Sequence, residues 1–355
     1  MNEQLLPDLL QLRGSVVAAS DEFFAAKENL IKASAPVFTP DTYDAKGQVY
    51  DGWETRRRRG PGGTLPDQAE RDWVIVRLGV PGVVRAIVVD TAFFTGNYPQ
   101  ACSADACPAS GYPSAEELIA GGWEEIMPRG LLTADARHAF GVHSGRRFTH
   151  VRLNIFPDGG IARLRIHGEA VPDPVMLAGL SFDLAALENG ADVVACSDRF
   201  YSAPRNVISP GLPRVMGEGW ETRRRRAPGH EWLVVRLSGR GVIELAEIDT
   251  SGYRGNPPGA ASLQMLDAAD PQIAEAAAGG SLAYESLADE RAWRDLLPRV
   301  RLLPDTPHRF RVDGAPTTHV RLNIFPDGGV ARLRLYGSLT DDGLAAIRSH
   351  WDGTS

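Results

Sequence analysis

The chain has 355 residues, of which 43% are hydrophobic and 23% charged, and 38 Lys and Arg against 45 Asp and Glu give a net charge of −7. This length exceeds the size at which one hydrophobic core keeps growing, so two domains are expected, and the apolar content excludes a disordered or fibrous chain. The acidic balance argues against a body built to neutralise nucleic acid or anionic lipid.

The amino-terminal segment and the cysteines indicate a cytoplasmic protein. Residues 1–13 carry acidic residues among leucines and lack the basic start and apolar run of a signal peptide. No later segment is apolar over the length that a bilayer requires, so no membrane contact is expected. Cys102, Cys107 and Cys196 form neither an even set nor a CxxC pair, which is typical of a reducing compartment. The residues between Cys102 and Cys107, Ser-Ala-Asp-Ala, read as a loop.

Long strings recur in the same order in both halves of the chain, which predicts a tandem duplication. The matching blocks are 16–24 with 193–201, GWETRRRR at 52–59 with 219–226, 72–78 with 231–237, Asp90-Thr91 and Gly96-Asn97 with Asp249-Thr250 and Gly255-Asn256, and 150–165 with 319–334. We expect a first domain at 1–172, a second at 173–340 and a carboxyl-terminal tail at 341–355. The junction at 171–174 contains two prolines, which interrupt regular pairing and indicate a linker.

Four consecutive arginines are the most unusual feature of each copy. In a strand, Arg56 and Arg58 would face one side, and Arg57 and Arg59 the other. Because these arginines follow Trp53, a residue that favours burial, we expect them to be ordered. Two interpretations stay open for either face: a network with carboxylates, or a site for a substrate carboxylate, which suits the planar guanidinium fork.

The remaining pattern consists of short β-like segments with few helices. Residues 73–78 and 86–90 read as strands, and 151–156 with 161–166 read as a β-hairpin closed by the turn at 157–160. Helices are expected at 114–120, where Ser114 and Glu117 could form a capping box, and at 283–297. The expected fold class is therefore all-β, with two tandem β-sandwich or jelly-roll domains and a few short helices.

Several polar residues occur at matching positions of both copies, and each has a structural as well as a functional interpretation. Asp90 and Asp249 lie at expected strand ends, where each could either close an Asx turn or take part in catalysis. His150 and His319, like His138 and His308, could be hydrogen-bonded core residues or proton shuttles. For Arg152, Arg163 and Arg165, charge pairing along a strand face is favoured over ligand binding.

The strings DGWETRRRR, DWVIVRLG, DT…TGNYP and HVRLNIFPDGGIARLR together resemble the allantoicase family. The resemblance extends from Val16 to Gly337 and includes the duplication. It implies two jelly-roll domains of the galactose-binding-like kind and a hydrolase of linear amidines that converts allantoate to ureidoglycolate and urea in purine degradation. The second copy departs from the pattern at Glu218 and at 251–254, whereas 94–99 of the first copy follow it more closely.

Allantoate is a small carboxylate whose central carbon carries two ureido nitrogens. Urea leaves poorly as an anion, so a general acid is required, and the substrate carboxylate needs a cationic partner. The expected catalytic residues are Glu54, His150 and Asp90, and the expected substrate-binding residues are Arg57, Arg59, Asn97, Arg152 and Asn154. The equivalents in the second copy are Glu221, Arg224, Arg226, Asp249, Asn256 and His319. A site between the two copies or between subunits stays equally open, because pockets favour domain interfaces.

Two other functions compete with this hypothesis: a non-catalytic jelly-roll module that binds a sugar or another small ligand, and a related enzyme that processes ureidoglycolate. No metal site is expected from the sequence and no cofactor is required by it, although carboxylates such as Asp51 could supply oxygen ligands to a divalent metal. The expected partners are a small-molecule substrate and further copies of this chain in a homo-oligomer, without nucleic acid or membrane.

Overall fold

The structure, a computed structural model, describes residues 6–269 and 292–355. The chain forms two units, Met1–Val171 with Thr354–Ser355, and Pro172–Gly353.

The first unit is built around a long strand whose two halves pair with different neighbours. Its strands are β1 (Ser15–Ala19), β2 (Tyr43–Asp44), β3 (Gly47–Gln48), β4 (Trp53–Glu54), β5 (Asp72–Asp90), β6 (Ala101–Cys107), β7 (Glu124–Leu131), β8 (Arg137–Gly141), β9 (Arg147–Phe156), β10 (Gly160–Ile161) and β11 (Arg163–Ala170), with one α-helix, α1 (Ala115–Ala120), and 3-10 turns at Lys27–Ile31 and Pro61–Gly63. The main sheet has the order β1-β5-β9-β6-β7, and β8 and β11 also pair with β5.

β5 connects the two layers of a β-sandwich. Residues 72–77 pair with β9, whereas residues 82–90 pair with β11 and residues 86–90 with β8. Between these halves the register with β9 jumps from Arg77 to Gly82, and a Cβ on Gly79 would approach Leu12 O to 1.9 Å. The two strands expected at 73–78 and 86–90 are thus halves of one strand, and the β-sandwich of the jelly-roll type is confirmed.

The hairpin expected from 151–166 is wrong. β9 and β11 both pair with β5 and not with each other, because the residues between them leave the main sheet. β10 instead pairs with β4 in a separate two-stranded sheet. The Pro-Asp-Gly-Gly segment is therefore a corner between two layers, and it brings the residues after it next to Trp53 and Glu54.

The second unit repeats this arrangement. Its strands are β12 (Phe182–Asp183), β13 (Asp192–Cys196), β14 (Trp220–Glu221), β15 (Glu231–Asp249), β16 (Ala260–Leu266), β17 (Arg294–Arg301), β18 (Pro307–Arg311), β19 (Thr317–Phe325), β20 (Gly329–Val330) and β21 (Arg332–Leu339), with 3-10 turns at Pro174–Met176, Leu187–Asn189, Pro204–Ile208 and Met216–Glu218. The sheet order is β12-β21-β15-β19-β16-β17, and β13 and β18 also pair with β15. Residues 341–355, expected to be a tail, contain an α-helix, α2 (Asp341–Gly353).

Helix predictions had mixed outcomes. The helix at 114–120 is confirmed with its capping box: Ser114 Oγ accepts the Glu117 amide, and the Glu117 carboxylate accepts the Ser114 amide. Of the helix expected at 283–297, residues 283–291 lie outside the described residues, and residues 294–297 belong to β17. Pairing of β17 with β16 overrides the local helical pattern there. Within the described residues, no helix has the length and apolar character needed to cross a membrane.

The tryptophans that begin the arginine strings anchor them to the cores of the two sandwiches. Trp53 and Trp220 are both fully buried. The indole Nε1 of Trp53 donates to Asp21 O at 2.8 Å, and that of Trp220 donates to Asp198 O at 3.0 Å. The residues that follow each tryptophan are therefore held at a fixed position on the sandwich surface.

Candidate active site

Glu54 projects from the short strand that the buried Trp53 fixes. Its backbone pairs with Gly160 on one side and with Ala25 on the other, so its position is set by both neighbours. Because side chains alternate along a strand, Glu54 points away from the core that holds Trp53. The sequence thus places one carboxylate on a rigid element.

Asn97 is the hydrogen-bond partner of this carboxylate. Its Nδ2 donates to Glu54 Oε1 at 2.7 Å, and its backbone oxygen accepts the Gly160 amide at 2.7 Å. Burial raises the pKa of Glu54 above its usual value, and the hydrogen bond from Asn97 acts in the opposite direction. A half-buried carboxyl group with a raised pKa and a neutral partner has the properties of a general acid.

An aromatic cluster supports the Glu54 strand in the first unit. A Cβ on Gly160 would lie 2.0 Å from Phe94, so only glycine allows this ring against β10. Tyr50 stacks on Phe94 at 4.8 Å, Phe38 lies 5.3 Å from Tyr50, and Phe93 lies 5.8 Å from Phe38. The cluster runs from the core at Phe94 to the exposed ring of Phe93.

The four arginines divide into two alternating pairs, as expected, although the strand itself ends at Glu54. Arg56 contacts Asp21 at 2.6 Å, and Arg58 contacts Asp72 at 2.7 Å. Arg57 and Arg59 are exposed, and within the described residues neither has a hydrogen bond or an ion pair. One pair is therefore structural, and the other is available to an anionic ligand.

A second carboxyl group lies beside this arginine row. Asp158 Oδ2 accepts the Arg58 amide at 2.7 Å. Burial raises the pKa of Asp158, the bond from Arg58 lowers it, and the charge of Asp72 raises it. The sequence interpretation gave this residue only a turn role. The turn also ties the arginine row to the corner after β9.

The second unit repeats the main contacts. Asn256 donates to Glu221 at 2.6 Å. Arg223 contacts Asp198 at 3.2 Å, and Arg225 contacts Glu231 at 2.6 Å. The intervening cations, Arg224 and Arg226, are exposed and make no contact of this kind in the described part of the chain.

Asp90 and Asp249 close turns. Asp90 Oδ1 accepts the Ala92 amide at 2.8 Å, and Asp249 Oδ1 accepts the Ser251 amide at 2.7 Å. These are the contacts of an Asx turn. Both aspartates are buried, and the Asp90 carboxylate lies 4.0 Å from Arg137. The geometry gives each residue a structural role at the end of its long strand.

His150 and His319 lie within the sheets, away from the glutamates. His150 is 2% exposed, and its Nδ1 lies 2.9 Å from Thr149 Oγ1. It lies six residues before Phe156, the end of β9 from which the chain turns towards Gly160 and Glu54, and six residues span about 20 Å along a strand. Burial and the charge of Arg77 lower the pKa of His150 to about 4, and burial with Arg236 lowers that of His319 to about 4. Neither histidine therefore belongs to the glutamate site of its repeat, that of Glu54 or that of Glu221.

Arg152 and Asn154 form a polar row with strand β6. Arg152 donates two hydrogen bonds to Asp105 Oδ2, at 2.8 and 3.0 Å, and lies over the ring of Trp123. Asn154 Nδ2 donates to Asp105 at 2.9 Å and to Ser103 at 3.2 Å. Among the described residues, the buried Oδ1 of Asn154 has no partner. This row is separate from Glu54 and is largely self-satisfied.

Other candidate residues also have structural partners. Arg163 contacts Asp51 at 2.5 Å and Lys32 contacts it at 2.7 Å, so the aspartate considered for a metal is held by two cations. Arg165 lies 3.6 Å from Asp8. His138 Nε2 accepts the Thr133 amide, as His308 accepts that of Leu303. The described residues contain no group of three or more His, Cys, Asp or Glu that could hold a metal ion.

The sequence did not predict that Asp105 contacts the candidate residue Arg152 or that Asp158 contacts the arginine row. Residues 103–106 were interpreted as a loop between two cysteines, yet they belong to strand β6. The alternation of Ser103 and Asp105 with small apolar residues was a usable signal for that strand. No local signal identified Arg152 as the partner of Asp105, because the two are 47 positions apart.

Comparisons with known proteins give one family. A sequence model described as "Allantoicase repeat" matches residues 8–171 and 182–340. The chain is 48% identical over 348 residues to a "Probable allantoicase" of Streptomyces avermitilis, covering 96% of this chain and 87% of that protein. It is 50% identical over 339 residues to a "Probable allantoicase" of Nocardia farcinica, covering 94% of each. The crystal structure of allantoicase from Saccharomyces cerevisiae aligns with a TM-score of 0.72 and 32% identity, covering 93% of this chain and 92% of that one.

Proposed function

The chain belongs to the allantoicase family, and we propose that Glu54 of its first repeat is the proton carrier in that family's reaction, the hydrolysis of allantoate to ureidoglycolate and urea. Glu54 supports this role because it is half-buried, has a raised pKa and is bonded to a neutral amide rather than to a cation. That combination is the single observation that carries the assignment. The reaction makes the chain a hydrolase of carbon–nitrogen bonds in linear amidines.

Protonated Glu54 donates its proton to the departing ureido nitrogen, and the bond from that nitrogen to the central carbon breaks. The lone pair of the remaining ureido nitrogen donates electron density to the central carbon and so stabilises it while the bond breaks. Water then forms the new carbon–oxygen bond, and its proton returns to the Glu54 carboxylate, which restores the acid. An anionic substrate close to Glu54 raises the pKa of this group further, which favours the acid form in the complex.

Arg57 and Arg59 are the proposed partners of the substrate carboxylate. They are exposed cations that form no hydrogen bond or ion pair with a carboxylate of the described residues, although the charge of Arg57 acts on Asp158, whereas Arg56 and Arg58 are already paired. A guanidinium offers a carboxylate two parallel hydrogen bonds. Asn97 positions Glu54, and His150, Asp90, Arg152 and Asn154 are left out of the hydrolytic step because each is engaged in the sheet or in a turn.

The first repeat is the proposed hydrolytic one. Its segment at 94–99 follows the family pattern, and its Phe94 packs against Gly160, which pairs with Glu54, and continues into the rings of Tyr50, Phe38 and Phe93. In the second repeat Tyr253 replaces Phe94, and its hydroxyl donates to Met216 O at 2.6 Å. Burial and the charge of Glu221 raise the pKa of Tyr253. The second glutamate thus has a different neighbour.

Substitution of the two glutamates tests the proposal. Glu54→Gln keeps the size of the side chain and an acceptor for Asn97 but removes the proton, so kcat for urea release from allantoate should fall by about 10²- to 10⁴-fold. Glu221→Gln is the matched control and should stay within about twofold of the unsubstituted protein. Near-normal turnover of Glu54→Gln would refute the role of Glu54. A comparable loss in Glu221→Gln alone would move the hydrolytic site to the second repeat.

Further expectations accompany this function. Urea and glyoxylate release from allantoate and from ureidoglycolate separates the proposed enzyme from a ureidoglycolate-processing enzyme, and release of neither product indicates a binding module. We propose that no resident metal is required, which turnover after dialysis against a chelator would test. A cytoplasmic location and a homo-oligomeric state are also proposed, and fractionation and sedimentation are the respective tests.

A further inference from the structure

The second repeat contains an open cleft beside its arginine row. The cleft has a volume of about 780 Å³ and lies between residues 223–227 and the start of strand β15. Its lining combines the four arginines at 223–226 with Asp198, His230, Glu231 and Trp232. Glu221 and Asn256 are not among these residues. The cleft is therefore separate from the second-repeat counterpart of the Glu54 site.

The charges around the cleft leave two cations available. Asp198 is paired with Arg223 at 3.2 Å, and Glu231 with Arg225 at 2.6 Å. Both carboxylates are thereby neutralised. Arg224 and Arg226 complete the row, and neither contacts a carboxylate anywhere in residues 6–269 or 292–355. The lining thus contains four guanidinium groups and two carboxylates, which leaves an excess of positive charge.

One side of the cleft is aromatic and is held in place from below. Trp232 is half-buried and packs on a cluster that contains Val234 and Leu266. His230 Nε2 lies 3.1 Å from Asn323 Oδ1, and the His230 ring lies 4.7 Å from that of Phe325. The rings of His230 and Trp232 thus line the cleft beside its cations.

The first repeat builds the same region differently. Residues 60–71 form a longer connection there than residues 227–230 do in the second repeat, and they add Glu70, 3.7 Å from Arg58. Arg71 occupies the position of His230, and Asn154 Oδ1 lacks the partner that His230 gives Asn323. A short connection with a compact imidazole therefore accompanies the cleft of the second repeat.

We propose that this cleft binds a small organic carboxylate in a second site, in addition to the hydrolytic site of the first repeat. Arg224 and Arg226 hold the carboxylate through charge-assisted hydrogen bonds, and the body of the ligand packs against Trp232. This inference rests on the proposed function, because the substrate allantoate and the product ureidoglycolate of that reaction are both small organic carboxylates. It gives the two repeats different tasks.

Calorimetric titration of Glu54→Gln protein with allantoate tests this proposal, because this variant should consume the ligand at least about 10²-fold more slowly. The expected result is two binding sites per chain. Adding Arg224→Ala with Arg226→Ala should remove one site or weaken it at least about tenfold, and the matched pair Arg57→Ala with Arg59→Ala should weaken the other. All four arginines are exposed, so the variants should fold, which circular dichroism would verify.

Three outcomes would overturn the proposal. Unchanged stoichiometry and affinity after the Arg224 and Arg226 substitutions would remove the cleft as a site. Loss of all binding in either double variant would indicate a single site. Inorganic phosphate and malonate, a simple organic carboxylate, are titrated for comparison. Phosphate that binds as tightly as allantoate or malonate would exclude a site for organic carboxylates. The Glu54 assignment is judged separately, by turnover of Glu54→Gln alone.

Discussion

The two repeats make the same contact between a glutamate and an asparagine, Glu54 with Asn97 and Glu221 with Asn256, but surround it with different side chains. Next to the first glutamate, Phe94 packs against a stack of rings. In the second repeat Tyr253 replaces this ring and is hydrogen-bonded to the backbone. A duplicated scaffold can therefore keep its polar geometry while a few loops and one ring change what surrounds it in each copy.

The two repeats should agree most closely in the effect of their buried histidines on stability. Protonation of these histidines is expected to change the unfolding free energy more than any other change considered below. His150 and His319 have a pKa of about 4 in the folded chain, against about 6.5 for an unfolded histidine. Between these values the unfolded chain binds more protons, so stability is full above pH 6.5 and falls as the pH drops towards 4. Each histidine should contribute about 3 kcal/mol to this loss.

Denaturant unfolding at pH 7 and pH 4 measures the effect. His150→Gln and His319→Gln should each reduce the difference in unfolding free energy between the two pH values by that amount. The charge of Asp267 acts to raise the pKa of His319 and has no counterpart at His150. A smaller effect for His319→Gln would therefore sharpen the comparison, whereas no effect for both would contradict burial in the neutral form.

The polar rows differ by one charge, which gives the next largest expected effect. Asp105 accepts from Arg152 in the first repeat, and the neutral Gln264 accepts from Arg321 in the second. Both bonds have a charged donor, but only Asp105 also carries the opposite charge, so Asp105→Ala leaves the cation of Arg152 unpaired and should lower the unfolding free energy by about 2 kcal/mol. Gln264→Ala should lower it by about 1 kcal/mol. Equal losses in thermal or denaturant unfolding would show that the charge is not the difference.

The sequence predicted the features that depend on neighbouring residues, but not those that depend on residues far apart in the chain. The duplication, the fold class and the division of the arginines depend on local strings and on alternation, which a single sequence displays. The continuity of β5, the corner at 157–160 and the pair of Asp105 with Arg152 depend on register between distant strands. Register is decided by packing across the sheet, so local propensity predicted a hairpin and a loop where the chain forms neither.

Removal of the asparagine partner tests whether the two glutamates differ in function. The hydrogen bond from Asn97 favours the charged form of Glu54, so Asn97→Ala should raise the pKa of Glu54 further. The alkaline limb of the kcat/KM profile should then move to higher pH, and kcat should fall by up to about tenfold because Glu54 is less well positioned. Asn256→Ala is the control in the second repeat and should leave the profile unchanged. An unmoved limb in Asn97→Ala would argue against Glu54 as the titrating acid.

A backbone position that only the first repeat fills with a large side chain also distinguishes the two copies. Phe93 has φ +68°, and its counterpart Gly252 has φ +83°, a region that favours glycine. The amides of both residues donate to an aspartate, Asp135 or Asp305, so the conformation itself is shared. Phe93 gains a stacking partner in Phe38, which offsets part of the strain.

Gly252→Phe transfers the strained ring to a place without those partner rings. It should lower the unfolding free energy by about 1 to 2 kcal/mol, because a side chain in the left-handed region costs that much and no stack offsets it. Phe93→Ala, which keeps the strain and loses the stack, should cost about 1 kcal/mol. If Gly252→Phe leaves the thermal midpoint unchanged, the conformation is not strained, and the exposed ring of Phe93 needs no compensation from Phe38.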